Sequence, residues 1–148
     1  MIALLQRTRD ARVDVDNHSI GGIDHGLLIL LGVFENDTTE DADYLIDKAS
    51  NLRIFDDDSG KMNLSVRDAG RSALIVSQFT LCADTKKGRR PSYVNAAGPE
   101  KATELYEYFL DKFAATGIPV ENGEFGAMMD VYLVNTGPVT IILDSKNR

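Results

Sequence analysis

The chain contains a single cysteine, Cys82, only two histidines, His18 and His25, and no tryptophan. One cysteine cannot close an intramolecular disulfide, so a reducing, cytoplasmic setting is expected. So few thiols and imidazoles leave no cluster from which to build a zinc site, and neither a metal nor a cofactor is expected. Long hydrophobic runs are missing too. The longest, Leu27–Leu31 with Gly32-Val33-Phe34 behind it, falls well short of the ~20 residues that cross a bilayer. Met1–Arg7 has no charged segment leading into a long apolar one, so no signal peptide is expected, and no membrane partner. Cations are outnumbered: the net charge of −7 argues against binding a polyanion over the whole surface. What remains is a globular composition over 148 residues, most simply one domain spanning residues 1–148, able to bury roughly 70% of its extended-chain surface.

Against that acidic background one stretch stands out, Ser77-Gln78-Phe79-Thr80-Leu81-Cys82-Ala83-Asp84-Thr85-Lys86-Lys87-Gly88-Arg89-Arg90-Pro91-Ser92-Tyr93. The run Ala73-Leu74-Ile75-Val76 that feeds it reads as a buried strand. It stops at the hydroxyl and amide side chains of Ser77, Gln78 and Thr80, which can both donate and accept hydrogen bonds. Four cations in five residues follow, Lys86, Lys87, Arg89 and Arg90, broken only by Gly88. Two readings stand for this run: a polyanion site at the end of a buried strand, or a solvated loop.

The other segments read as scaffold. Ile2–Arg7, Arg12–Asp16, Ser19–Ile23 and Gly26–Phe34 have strand patterns separated by turn residues, which predicts an antiparallel meander with both histidines at turns. Gly26–Phe34 is apolar on both faces, as a central strand should be. Thr38-Thr39-Glu40-Asp41 has the form of a capping box, and Ala42, Leu45, Ile46, Ala49 and Leu52 fall on one helical face. Asp56–Lys61 lacks the downstream glutamate of a calcium loop and reads as an acidic turn. Met62–Val66 alternates as a short strand. Gly98-Pro99-Glu100 opens a second helix, whose stripe is Ala102, Leu105, Tyr106, Phe109, Leu110 and Phe113, with Gly117 ending it. Met129–Val134 and Val139–Leu143 are strand-like, with Asn135-Thr136-Gly137-Pro138 between them. Locally a tight turn is the favoured reading of that interruption, and a glycine set for close approach to another group is the other.

Ser77-Gln78-Phe79-Thr80-Leu81 with Lys87-Gly88-x-Arg90-Pro91-Ser92, together with Asn135-x-Gly137-Pro138-Val139-Thr140, closely resembles the D-aminoacyl-tRNA deacylases. The similarity extends over almost the full length, through Arg53-Ile54-Phe55 and Gly60–Leu64. Thr136 and Met128 stand where the family often has acidic residues, and Tyr93 where phenylalanine is common. The resemblance implies an α/β fold with a mixed, largely antiparallel, barrel-like sheet and two main helices. It implies a homodimer that hydrolyses the ester between a D-amino acid and the 3′-terminal adenosine of tRNA. Ser77, Gln78, Phe79 and Thr80 would be the catalytic segment. Met129 and the cations Lys86, Lys87, Arg89 and Arg90 would meet substrate. Gly137-Pro138 would be a cis peptide inserted across the dimer interface into the partner's pocket.

The residues narrow the chemistry. A Ser-His-Asp arrangement needs a base beside its nucleophile, and no histidine lies near Thr80 in sequence. A metal-bound hydroxide has no ligand set. The expected route is attack by water assisted by the ribose 2′-OH of the substrate, with backbone N–H groups near Phe79 and Thr80 stabilising the oxyanion. Thr80 as a covalent nucleophile is the alternative. Two rival functions are a non-catalytic RNA-binding module and a hydrolase of small D-amino-acid esters, and the basic run counts against the second.

Overall fold

A computed structural model describes residues 1–148. Strands β1 (Ile2–Val15) and β2 (His18–Gly32) form one long antiparallel hairpin. It turns at Asp16 and Asn17, whose φ values of 49° and 63° are the left-handed ones that a two-residue hairpin loop requires. The expected four-strand meander is therefore two strands. Asp24-His25-Gly26 does not turn: it runs straight through β2, with His25 paired to Arg9. Gly26 is small for another reason. A Cβ there would lie 1.8 Å from the carbonyl oxygen of Ser72, so glycine is what lets the neighbouring strand start flush against β2.

Helix α1 (Thr39–Asn51) is capped by Thr38, whose backbone N–H is accepted by the Asp41 carboxylate at 2.9 Å. It buries Ala42, Leu45, Ile46 and Ala49 on one face, as the spacing predicts. A small hairpin of β3 (Phe55–Asp56) and β4 (Met62–Leu64) follows. Between its strands the Asp57 carboxylate accepts the N–H groups of Ser59 and Lys61 at 2.9 and 3.1 Å, the acidic turn expected there. Strand β5 (Ser72–Ser77) leads to the site segment, then come helix α2 (Pro99–Ala114), β6 (Val120–Asn122) and β7 (Asp130–Asp144). Sequence patterning did not anticipate β3 or β6; each is two or three residues long.

The main sheet has the order β6-β5-β2-β1-β7. β1 is antiparallel to β2 and β7, while β5 is parallel to β2 and β6. Parallel neighbours need crossover connections, and α1 and α2 lie in those two crossovers. Both helices cover one face of the sheet, packing on Ala3, Leu5, Leu27, Ile29, Leu31, Ala73 and Ile75. Phe109 and Phe113 of α2 are completely buried there, and truncating either to alanine would cost about 3–5 kcal/mol. On the opposite face Leu28, Leu74 and Val76 gather with Ala11, Val13 and Ile23. That second cluster requires the far half of the hairpin and the start of β7 to curl over the sheet. β2 is thus buried on both sides, which explains its unbroken apolar run.

Candidate active site

β5 leaves the sheet at Ser77, which pairs with Leu31 of β2, and Gln78 continues the contact through its N–H to the Leu31 carbonyl at 2.7 Å. Gln78 has φ −143° and ψ 77°, and the chain then tightens into one 3₁₀ turn, Phe79–Cys82. The turn's internal bonds begin with Leu81 N–H to Gln78 O at 3.1 Å and end with Ala83 N–H to Thr80 O at 3.2 Å. The N–H groups of Phe79 and Thr80 precede the first of these bonds and have no acceptor within the protein. Two adjacent free donors at the end of a rigid, buried strand are what a developing oxyanion needs. The Thr80 hydroxyl receives the side-chain amide of Gln78. An amide is not a base, so nothing in contact with this hydroxyl can take its proton. Cys82, two residues on, is buried, and burial first and the Asp37 charge second push its thiol up to about 11. It stays protonated at neutral pH and donates to the Val33 carbonyl at 3.4 Å.

Beside this turn lies a cavity of about 610 Å³. Ser77, Gln78, Phe79 and Met129 all line it, so four of the residues singled out in the sequence meet at one place. Its apolar walls include Tyr106 and Phe125, whose rings are 5.7 Å apart. Tyr106 belongs to the expected buried stripe of α2, and its hydroxyl donates to the Ile75 carbonyl at 2.8 Å; burial pushes its pKa up. Phe125 carried no signal in the sequence, because it sits in an irregular segment between two strands. Neither histidine borders the cavity. The basic run forms the exposed loop Thr85–Pro91, closed at its base by a reciprocal backbone pair between Asp84 and Ser92 at 2.8 and 2.9 Å. Lys86, Lys87, Arg89 and Arg90 are all exposed and lie outside the cavity.

Gly137-Pro138 is not a turn between two strands. β7 is continuous, and the four residues Thr136–Val139 bulge out opposite the single residue Arg7. The Gly137–Pro138 peptide is cis. The bulge is closed by Asn135, whose side chain accepts the Val139 N–H at 3.1 Å and donates to the Thr140 hydroxyl at 2.8 Å. Arg7 holds its inner side. The guanidinium donates to the carbonyls of Thr136 at 3.1 Å and Ile54 at 2.9 Å and pairs with Asp56 at 3.2 Å. Gly137 has φ 120°, and a Cβ there would sit 2.9 Å from the Arg7 guanidinium. Sequence reasoning missed Arg7. Its one signal was a cation in an otherwise apolar opening strand.

Within one chain this bulge does not reach the cavity. Ser77 is in register with Leu31 and Ala3, whereas the bulge is level with Arg7, three strand spacings away and four residues further along. That places the two motifs on the order of 20 Å apart. Gly137 and Pro138 are exposed, and neither lines the cavity.

The comparisons with known proteins converge. The family model for D-Tyr-tRNA(Tyr) deacylase matches residues 4–144. A D-aminoacyl-tRNA deacylase of Thermosipho melanesiensis is 58% identical over 147 residues, which cover 99% of this chain and 98% of that one. A Bacillus subtilis protein described as an inactive D-aminoacyl-tRNA deacylase is 59% identical over 132 residues, 89% of this chain and all of its own. Among solved structures, a c-Myc DNA unwinding element binding protein superposes with a TM-score of 0.93 at 39% identity, over 97% of this chain and 98% of that one. The chain belongs to the D-Tyr-tRNA(Tyr) deacylase family.

Proposed function

We propose that this protein hydrolyses the ester joining a D-amino acid to the 3′-terminal adenosine of tRNA, a proofreading activity in translation. The observation that carries this reading is the pair of unpartnered N–H groups on Phe79, which lines the apolar cavity, and on Thr80, the next residue, which does not line it. A cavity of about 610 Å³ is in the range that takes a nucleoside-sized ligand. The adenosine base lies against Tyr106, Phe125 and Met129, and the ester carbonyl points toward the two donors. Water adds to that carbonyl, and the charge that develops on its oxygen is met by dipoles already in place. The ribose 2′-OH beside the ester, rather than a protein side chain, assists the water. This fits a site in which the Thr80 hydroxyl meets only the Gln78 amide, which is not a base, and neither histidine borders the cavity.

The enantiomer filter comes from a second copy of the chain. Discrimination needs something that repels the L form. Gly137-Pro138 of the partner subunit enters the cavity mouth, where its carbonyls hold the substrate amino group and fill the space an L side chain would need. Three features support this. The bulge is exposed and rigidly braced by Arg7 and Asn135, it cannot reach its own cavity, and the strand bearing it is a sheet edge with exposed apolar side chains. Ile142 is 65% exposed and stands in the row Leu30–Leu4–Ile142, which continues to Val76 at the cavity wall. Such a patch is a signature of an interface.

The deciding experiment is time-resolved deacylation of matched D-Tyr-, L-Tyr- and glycyl-tRNA with enzyme far below substrate. Hydrolysis of the D-tyrosyl and glycyl esters with L-Tyr-tRNA nearly inert is the expected pattern, because glycine has no side chain to clash. No turnover of the D substrate would place this chain with its inactive Bacillus relative and leave a nucleic-acid-binding role. Cleavage of D-Tyr-tRNA with glycyl-tRNA ignored would reject the steric filter.

A further inference from the structure

At the edge of the cavity, Phe79, which lines it, and Tyr93 and Val94, which do not, leave large apolar side chains in water. Phe79 is 59% exposed, Tyr93 36% and Val94 81%. The rings of Phe79 and Tyr93 meet at a tilt of 57°, with centroids 4.9 Å apart. This is not a mobile loop tip. The Asp84–Ser92 backbone pair clamps the chain immediately before Tyr93. Immediately after it, Ala96 N–H bonds the Tyr93 carbonyl at 3.0 Å, Glu35 N–H takes the Asn95 carbonyl at 2.9 Å, and Ala97 N–H takes Val33 O at 2.9 Å. The backbone on both sides of Tyr93 is therefore held, and its ring rests against that of Phe79. The same Asp84–Ser92 pair closes the loop that carries Lys86, Lys87, Arg89 and Arg90, and none of these four cations is in an ion pair.

A fixed aromatic face beside unpaired cations is the combination that binds single-stranded nucleic acid: phosphates meet the cations, and bases of any identity stack on the rings. We propose that Tyr93, propped by Phe79, is the stacking platform for the nucleotide that precedes the terminal adenosine, with the basic loop neutralising the phosphates on either side of it. This rests on the deacylase reading above, which puts the terminal adenosine in the cavity bordered by Phe79. The next base along the strand then meets the outer face of the pair, which is Tyr93. A stack reads no sequence, so it suits an enzyme that must act on many tRNAs through their shared 3′ end.

The test compares wild type, Tyr93→Ala and Tyr93→Phe on two substrates, D-Tyr-tRNA and 3′-O-(D-tyrosyl)adenosine, which keeps the ester and the 2′-OH but has no preceding nucleotide. Tyr93→Ala should raise KM for the tRNA by roughly 5- to 150-fold more than for the adenosine ester, the range that loss of one base–aromatic stack produces. Tyr93→Phe, which keeps the ring, should restore it. Equal losses on both substrates would mean that Tyr93 only props Phe79, and would overturn the platform. So would an unchanged KM for the tRNA. If the wild type cleaves neither substrate, the deacylase reading fails instead. The platform is then judged by fluorescence anisotropy on an uncharged, CCA-ended oligoribonucleotide. Weaker binding by Tyr93→Ala than by Tyr93→Phe sustains it, and equal binding rejects it.

Discussion

If the backbone of the Phe79–Cys82 turn carries the chemistry, deleting one N–H should hurt far more than deleting a hydroxyl. Proline at position 79 makes that deletion with little structural damage. Residue 79 is the first of the 3₁₀ turn, where proline is well tolerated. The preceding Gln78 is already outside the helical region at φ −143°, as a residue before proline should be. The Phe79 N–H has no acceptor, so no internal bond is lost. Removing the ring is a separate effect, and Phe79→Ala is the control that removes the ring and keeps the N–H. Loss of one oxyanion donor typically costs ~10²–10³ in rate, about 2.7–4 kcal/mol of transition-state stabilisation. Phe79→Pro should therefore be slower than Phe79→Ala by about that factor. Thr80→Ala, which keeps both donors, should retain much of the wild-type rate. The assay is single-turnover hydrolysis of D-Tyr-tRNA with enzyme in excess, which separates chemistry from binding and product release. Equal rates for Phe79→Pro and Phe79→Ala would refute the backbone argument. So would an inactive Thr80→Ala protein that is folded and still binds substrate; a trapped acyl-enzyme would then identify Thr80 as the nucleophile.

Replacing Lys86 and Lys87 by alanine should flatten the log–log dependence of tRNA affinity on salt by about 1 to 2, at roughly 0.7–0.9 per phosphate neutralised; an unchanged slope would return the loop to the solvent. Ile142→Glu leaves a monomer little affected, because the side chain is 65% exposed there, but buries a charge in the proposed interface. Sedimentation velocity should show dissociation together with loss of D/L discrimination, and an active, selective monomer would contradict the shared site. The third concerns acid stability. Burial opposes the charge on Asp41, but the Lys146 ammonium at 2.7 Å and the Thr38 N–H at 2.9 Å together hold its carboxyl well below the usual range. A lowered folded pKa contributes stability that is complete above the unfolded value near ~4 and is lost as pH falls through the folded one. Lys146→Met should thus lower the urea midpoint at pH 7 by more than it does near pH 2, and a pH-independent difference would show that the pair contributes nothing through ionisation.

The parts of the fold that were legible in the sequence are those decided by a residue's own neighbours along the chain. The stripes of α1 and α2, the Thr38 cap and the burial of β2 on both faces follow from periodicity, and the polar stop at Ser77 marks the true end of β5. What was misread depends on the strand alongside. Asp24-His25-Gly26 has turn composition, yet Gly26 is required by the approach of Ser72 and not by any bend. Asn135–Pro138 also has turn composition, yet it is a bulge whose shape is set by Arg7 on β1, some 130 positions earlier (129 to Thr136). No window of sequence contains both partners.

The same limit applies to the site. The segment Ser77–Thr80 could be singled out because strand, polar stop and turn are contiguous. Gly137-Pro138 is odd on local grounds too, but only the resemblance gave it a role, because nothing local distinguishes a braced projecting bulge from a hairpin turn. Folding one chain does not unite them: two strands, β2 and β1, stand between β5 and β7. The bulge is fixed by Arg7 on its inner side and exposed on its outer side. In a two-fold dimer each subunit's projection can enter the other's cavity, so both sites are completed by a single interface. A side chain from the same chain could be displaced by a local rearrangement of its loop, whereas in the proposed dimer a backbone carbonyl braced from the partner's sheet could not move without breaking the interface. On the proposed dimer, rejection of the L form would rest on a braced stretch of backbone, which is what a filter on handedness at one carbon requires.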